Sequence, residues 1–253
     1  MRVEFLGTAG YHPSETRHTT GVFVPDAAPD DAFLLDGGSG TFRLIGRDLP
    51  ARLNVFMSHA HLDHTFGLTF LYNIAAMQRI MRERDLEIIF HGDAKTCDAV
   101  CGSLFNPLVF PLPFQWQWHE IEAAKPFEVA GVRVNTALLP HPGGSLGYRF
   151  DWENRSLGFV TDTSGTADYF SLIEGVDTLI HERNFPNEFA ELALQSGHCT
   201  SRDLVGAGRA SGARQIAAMH FNPITLTDPL QEDDVYAQLP DVIAAVDGLT
   251  LEI

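Results

Sequence analysis

The stretch Ser58-His59-Ala60-His61-Leu62-Asp63-His64-Thr65-Phe66-Gly67 sets three histidines and one aspartate within six residues. The apolar run Leu53-Asn54-Val55-Phe56-Met57 before it reads as a short buried strand, and Leu68 to Arg84 after it as a helix. The cluster therefore falls on a loop held by two rigid elements. Imidazole and carboxylate together form a ligand set for zinc and similar divalent metals. Alternate side chains of an extended segment point the same way, so His59 and His61 can share one ion. Asp63 and His64 follow where the chain turns and can reach a second ion. A histidine-rich surface turn is the plain alternative.

Downstream, polar chemistry recurs where hydrophobic strands end. Asn135 to Leu139 delivers Pro140-His141-Pro142, with proline on both sides restricting the backbone. Gly158-Phe159-Val160-Thr161 leads to Asp162, a carboxylate that could serve a metal or cap a helix. Val176 to Ile180 leads to His181-Glu182-Arg183-Asn184. Gly197-His198-Cys199-Thr200-Ser201 precedes a helix from Arg202 to Ser211, where His198 could be a capping residue instead of a reactive one. Gln215 to Met219 then delivers His220.

The pattern His-x-His-x-Asp-His resembles the signature of the metallo-β-lactamase superfamily. The resemblance implies a four-layer αββα sandwich of the α/β class, residues 1–253 forming a single domain with a two-metal site at its open edge. It demands a third histidine after a strand, then a metal-bridging aspartate, then a last histidine. His141, Asp162 and His220 stand in that order. The implied assignment gives His59, His61 and His141 to one ion, Asp63, His64 and His220 to the other, and Asp162 to both. The cofactors are then two divalent ions, zinc first, with manganese or iron compatible with the same donors.

Within the superfamily the chain is similar to the ribonuclease Z-like branch. Phe5-Leu6-Gly7-Thr8-Ala9-Gly10 looks like its opening strand and loop. His181-Glu182-Arg183-Asn184 is similar to its His-Glu-Ala-Thr segment, and Gly197-His198-Cys199-Thr200 to its Gly-His-Ser-Thr segment. The likeness implies that Glu182 and His198 pair and assist the leaving group. Chemistry agrees, because a carboxylate can orient an imidazole and raise its basicity. Asp63 would also orient the nucleophile, a water or hydroxide held between the metals and attacking phosphorus in line.

Two departures bear on substrate. Ribonuclease Z enzymes clamp transfer RNA with a long arm inserted between the third histidine and the bridging aspartate. Here His141 and Asp162 are 21 residues apart, and two expected strands fill that space. The branch's Gly-Glu-Gly-Thr-Gln segment is replaced by Gly38-Ser39-Gly40-Thr41-Phe42. The expected substrate is a small or cyclic phosphodiester, as for the armless cyclic phosphodiesterases of the superfamily. A ribonuclease Z-type RNA endonuclease, a lactone, amide or thioester hydrolase, a two-iron redox enzyme and a non-catalytic metal protein are the alternatives, since a fold does not dictate its substrate.

The remaining chain reads as connecting structure. Val3 to Leu6 is a strand, and Gly21 to Pro25 pairs with Ala32 to Asp36 as a hairpin. Tyr11 to Thr20 is a polar loop in which His12 and His18 could meet substrate or simply be solvated. Asp36-Gly37-Gly38-Ser39-Gly40-Thr41 opens a helix, as a loop under the metal site, near a substrate phosphate, or as a tight turn. Leu86 to Phe90 is a strand and Asp93 to Leu104 a helix capped by Asp93. Cys97 and Cys101 share a face of that helix, as free thiols or, with His91, as structural metal ligands. The aromatic segment Phe105 to Trp118 packs beneath or beside the site. Phe127 to Val129 and Val132 to Val134 form a hairpin around Ala130-Gly131, and Leu146 to Asp151 pairs with Ser156 to Thr161. A helix from about Gln231 to Val246 and a strand from Leu249 to Ile253 close the chain.

Composition narrows the partners. The chain has 253 residues, is 45% hydrophobic and 20% charged, and carries a formal net charge of -16. Two divalent cations would leave about -12. Such a field repels nucleic acid, and no cluster of lysine and arginine offsets it. No apolar run of membrane-spanning length occurs, and the first residues lack an apolar signal core. Three cysteines without a Cys-x-x-Cys pair point to a reducing cytoplasm. An exposed sheet edge and the aromatic stretch near Phe114 could serve a homodimer.

Overall fold

The computed structural model describes residues 1–223 and 228–253. They divide into two compact units, Met1–Glu122 with Asp247–Glu252, and Ala123–Val246 with Ile253.

The first unit is built on strands β1 (Arg2–Gly7), β2 (Gly21–Ala28), β3 (Asp31–Leu35), β4 (Arg52–Phe56), β5 (Glu87–Gly92) and β6 (Gln117–Glu120), with Thr250–Glu252 added beside β1. Thr250–Glu252, β1, β2 and β3 are joined antiparallel, and β3, β4, β5 and β6 parallel. Parallel neighbours need crossovers, and the apolar helix Leu71–Arg82 supplies one of them. It buries Leu71 and Ile74 against Leu34, Leu53, Val55 and Phe90 of the sheet. The helix stops at Glu83, which takes a left-handed φ of 53°. Phe105, Phe114, Trp116 and Trp118 complete this core around Phe90, so the aromatic segment is packing material.

The second unit carries β7 (Phe127–Val129), β8 (Val132–Leu139), β9 (Ser145–Trp152), β10 (Arg155–Val160), β11 (Thr178–Glu182), β12 (Gln215–Met219) and β13 (Val242–Ala244), hydrogen-bonded in that order. The first four are antiparallel and the last four parallel. Each seven-stranded sheet thus changes from antiparallel to parallel pairing at its fourth strand, β3 in one and β10 in the other. The helix Ser201–Ser211 begins with a capping box between Thr200 and Asp203. It packs Leu204, Val205 and Ala207 on Leu179, Ile216 and Ala218. Strands buried on both faces, such as β3, β4 and β11, are the continuous apolar runs read from sequence.

Three boundaries differ from expectation. The helix expected from Leu68 is preceded by a tight 3₁₀ segment, Phe66–Phe70, and starts at Leu71. The helix after Asp93 runs only over Ala94–Ala99 before widening into a π-turn at Val100–Leu104. No helix fills 231–246. Asp233 and Asp234 adopt left-handed backbone, Val235–Gln238 makes one turn, and Pro240 stops it. Val242-Ile243-Ala244 then joins β12 as a parallel strand. Among the described residues no helix is long and apolar enough to cross a membrane.

The glycine-rich loop after β3 lies under the His59–His64 segment. Gly37 N–H donates to the His64 carbonyl at 2.7 Å. A Cβ on Gly38 would sit 2.4 Å from the Asp63 carbonyl oxygen, and one on Gly67 would sit 1.9 Å from that of Gly38. Backbone has no side-chain freedom with which to yield. Gly67→Ala is expected to destabilise the protein by about 1–3 kcal/mol, read as a lowered urea midpoint at unchanged slope.

Candidate metal centre

In the first unit, Asp36 stands one residue beyond β3, fully buried, with φ 57°. Its carboxylate accepts from Ser58 N–H at 2.7 Å, Ser58 Oγ–H at 2.7 Å and His64 Nδ1–H at 2.9 Å. Ser58 has a single hydroxyl proton, and Asp36 takes it. His59 Nδ1, 3.0 Å from Ser58 Oγ, must therefore donate. Both imidazoles are thereby left with a lone pair on Nε2, the form a metal requires. The His59 ring lies 4.4 Å from that of His61 and 4.3 Å from that of His64, centroid to centroid. His64 Nε2 is 3.4 Å from Asp63 Oδ2. Asp63 is further held by the Tyr11 backbone N–H at 2.7 Å. The four motif residues converge, as their spacing predicts.

In the second unit, His141, Asp162, Glu182, His198 and His220 come together from four strand ends and one loop. His141 donates Nδ1–H to the Gly197 carbonyl at 2.9 Å, which points its Nε2 at Asp162, 3.6 Å away. His220 Nε2 lies 3.1 Å from the other Asp162 oxygen. One ligand atom each from Asp162, His198 and His220 fall within 4.8 Å of one another. Asp162 and His220 both have left-handed backbone, φ 56° and 58°. Such strain in non-glycine residues costs on the order of 1–3 kcal/mol each and collects at functional sites.

Glu182 is fully buried and divides its oxygens between two partners. Oε1 accepts the Thr163 N–H at 2.6 Å, fixing the turn that carries Asp162. Oε2 accepts His198 Nδ1–H at 3.0 Å. Burial alone would lower the His198 pKa, but the Glu182 and Asp162 carboxylates outweigh it and hold the ring above its ordinary value. Burial likewise pushes Glu182 up, and the His198 ring more than reverses this. His198 retains some solvent exposure, 16% of its side chain against none for Glu182. His141 is pushed down by burial, which suits a neutral ligand.

The family model described as "Beta-lactamase superfamily domain" matches residues 23–221. The chain belongs to the metallo-β-lactamase superfamily. Its curated relatives include a ribonuclease Z of Crocosphaera subtropica, 26% identical over 313 positions that cover all of this chain and 98% of the relative. Superfamily structures of the same fold include human short-form tRNase Z, with TM-score 0.74, 22% identity and coverage of 100% and 99% of the two chains. A diphosphatase of the PhnP family superposes with TM-score 0.74, 20% identity and coverage of 100% and 98%. The expected fold and the ribonuclease Z-like branch are thus both found.

For a metallo-β-lactamase member, the donors suit divalent metal ions: imidazole nitrogens, with the proton settled on Nδ1 at His59, His64 and His141, and carboxylate oxygens, a set that zinc, manganese and iron all accept. Histidines outside the clusters have other partners. His181 donates Nδ1–H to the Glu182 carbonyl at 2.7 Å and accepts from the Tyr169 hydroxyl at 2.6 Å, deep in the core. His91 stacks on Phe56 and bonds Asn54, and burial followed by His119 pushes it down to about 3. It joins no metal group with Cys97 and Cys101 among the described residues. Those two are free thiols with sulfurs 3.8 Å apart. His18 bonds Ser39, while exposed His12 lines a cleft with Asp63, Tyr11 and Phe66.

Asp36 lies outside the expected ligand set, and its one signal in the sequence is a carboxylate at the end of an apolar strand, the feature that marks Asp162. Asn184 lies outside it too; its side-chain amide meets the His220 carbonyl at 3.0 Å and ring at 3.1 Å. Asp36→Asn is expected to weaken metal affinity about 10–100-fold, measured by competition with a chromogenic chelator. In metal-free protein, Glu182→Gln is expected to move the His198 titration to lower pH, because the group that raises it has gone; ring-proton NMR across pH reads this directly. An unmoved His198 curve would mean that Glu182 does not set its charge.

Proposed function

We propose that the chain is a metal-dependent phosphodiesterase acting on a small or cyclic phosphodiester. The observation that carries this is the Glu182–His198 pair, a carboxylate-oriented imidazole beside Asp162 and His220. We assign to metal the residues that the family resemblance implies: His59, His61 and His141 would hold one ion, and Asp63, His64 and His220 a second, with Asp162 serving both. Bound divalent ions supply a nucleophile from water at neutral pH and charge stabilisation at phosphorus.

The chain's own groups do the rest. Asp36 and Gly197 hold ligand imidazoles in the binding tautomer. Asp63 orients the attacking oxygen. His198, with Nδ1–H on Glu182, presents Nε2–H in its protonated form to the departing oxygen, and Glu182 stabilises the charge it carries. Alkoxide departure benefits from such an acid far more than departure of a stabilised leaving group does.

A small substrate is supported by what surrounds this chemistry. The segment between His141 and Asp162 is consumed by β9 and β10, which leaves no length for a nucleic-acid arm. Phosphorus chemistry is supported by the PhnP-family diphosphatase that shares the fold. RNA cleavage is the second reading, favoured by the names of the curated relatives and opposed by the charge of -16. Zinc or manganese loading is expected to give turnover of bis(p-nitrophenyl) phosphate that is abolished in Asp63→Ala. His198→Ala is expected to lower kcat on an alkyl phosphodiester about 10²–10⁴-fold, and to leave bis(p-nitrophenyl) phosphate turnover far less affected, with metal content intact. Turnover of a chromogenic lactone alone would sink the phosphodiesterase assignment; loss of metal from His198→Ala would make His198 a ligand.

A further inference from the structure

A cleft of about 150 Å³ opens at His198 inside the second unit. Ala193 and Leu194 of the helix Ala190–Ser196 form an apolar side, and Arg202 and Asp203, at the start of Ser201–Ser211, form a polar one. Gly165 lines it as well, packed so close to Asp203 that a Cβ there would sit 2.1 Å from Oδ1. The volume equals about five waters, enough for a phosphate or short carboxylate group.

The two charged residues of this cleft are unlike. Asp203 is committed to the capping box: its Oδ2 accepts from Thr200 N–H at 2.8 Å and Oγ–H at 2.7 Å. Arg202 uses its backbone N–H on Asn187 Oδ1, and its exposed guanidinium makes no ion pair among the described residues. In a chain with 33 acidic and 17 basic side chains, most arginines have found a carboxylate. Arg202 instead stands open on the rim of the cleft at His198.

An acid acts on the leaving oxygen, so the departing alcohol must start at His198 and extend from there. We infer that Arg202 determines specificity on the leaving-group side, taking an anionic group, phosphate or carboxylate, carried by the departing alcohol. A guanidinium matches either through two parallel N–H bonds. This placement rests on the phosphodiesterase reading for the role of His198; the anion site itself does not.

The test is therefore binding, not turnover. Zinc-loaded wild type, Arg202→Gln and Arg202→Lys are titrated by calorimetry with methylenebisphosphonate and with methylphosphonate, zinc content being assayed before and after. Wild type is expected to prefer the bisphosphonate. Arg202→Gln is expected to weaken the bisphosphonate about tenfold and the monophosphonate hardly at all, with Arg202→Lys intermediate. Equal loss for both ligands, or for neither, overturns the anion site. If wild type shows the Arg202-dependent preference yet leaves bis(p-nitrophenyl) phosphate intact, the site stands and the phosphodiesterase assignment falls; turnover without the preference gives the reverse.

Discussion

The carboxylate of Asp36 is the constraint on which the first cluster rests. A buried carboxylate must have its oxygens satisfied or it destabilises the fold by several kcal/mol. Here satisfaction comes from Ser58 and His64, both on the metal motif. One group therefore ties the end of β3 to the residues beyond β4, and at the same time decides where two imidazoles carry their protons. The parallel register of β3 and β4, with Leu35 opposite Phe56, brings the partners into range. Glu182 performs the matching task in the second unit, between the turn at Asp162 and the ring of His198.

Much of this was legible from local pattern. Apolar runs that end in His, Asp or Glu become strands with polar residues at their C-terminal ends, since a buried strand leaves its end for polar chemistry. The motif histidines, Asp162 and His220 stand at such ends, and His141 follows the antiparallel strand β8; the family resemblance supplied their order. The C-terminal segment departs from its expected helix, because Val235, Leu239 and Val242 mimic helical spacing while Pro240 forbids the helix. Asp36 and Asn184 were missed for a different reason. Their partners lie 22 and 36 residues away, and no local pattern encodes a contact of that separation.

The two sheets also explain why polar clusters form where they do. Each switches from antiparallel to parallel pairing at one strand, and each places an aspartate in left-handed backbone just beyond it, Asp36 after β3 and Asp162 after β10. Neither repeat is evident in sequence, since the loops and helices between strands differ throughout. Equivalent geometry with unequal duties resulted: one aspartate sets the protonation of ligands, and the other faces them.

Asp36, Asp162 and His220 all hold a backbone conformation that glycine adopts freely and asparagine tolerates. Each of the three side chains keeps that place through its own contacts: Ser58 and His64 hold Asp36, His141 and His220 face Asp162, and the Asn184 amide holds His220. The bent backbone at these strand ends is therefore braced by the same groups that aim the donors, like a spring kept under load by the parts it positions.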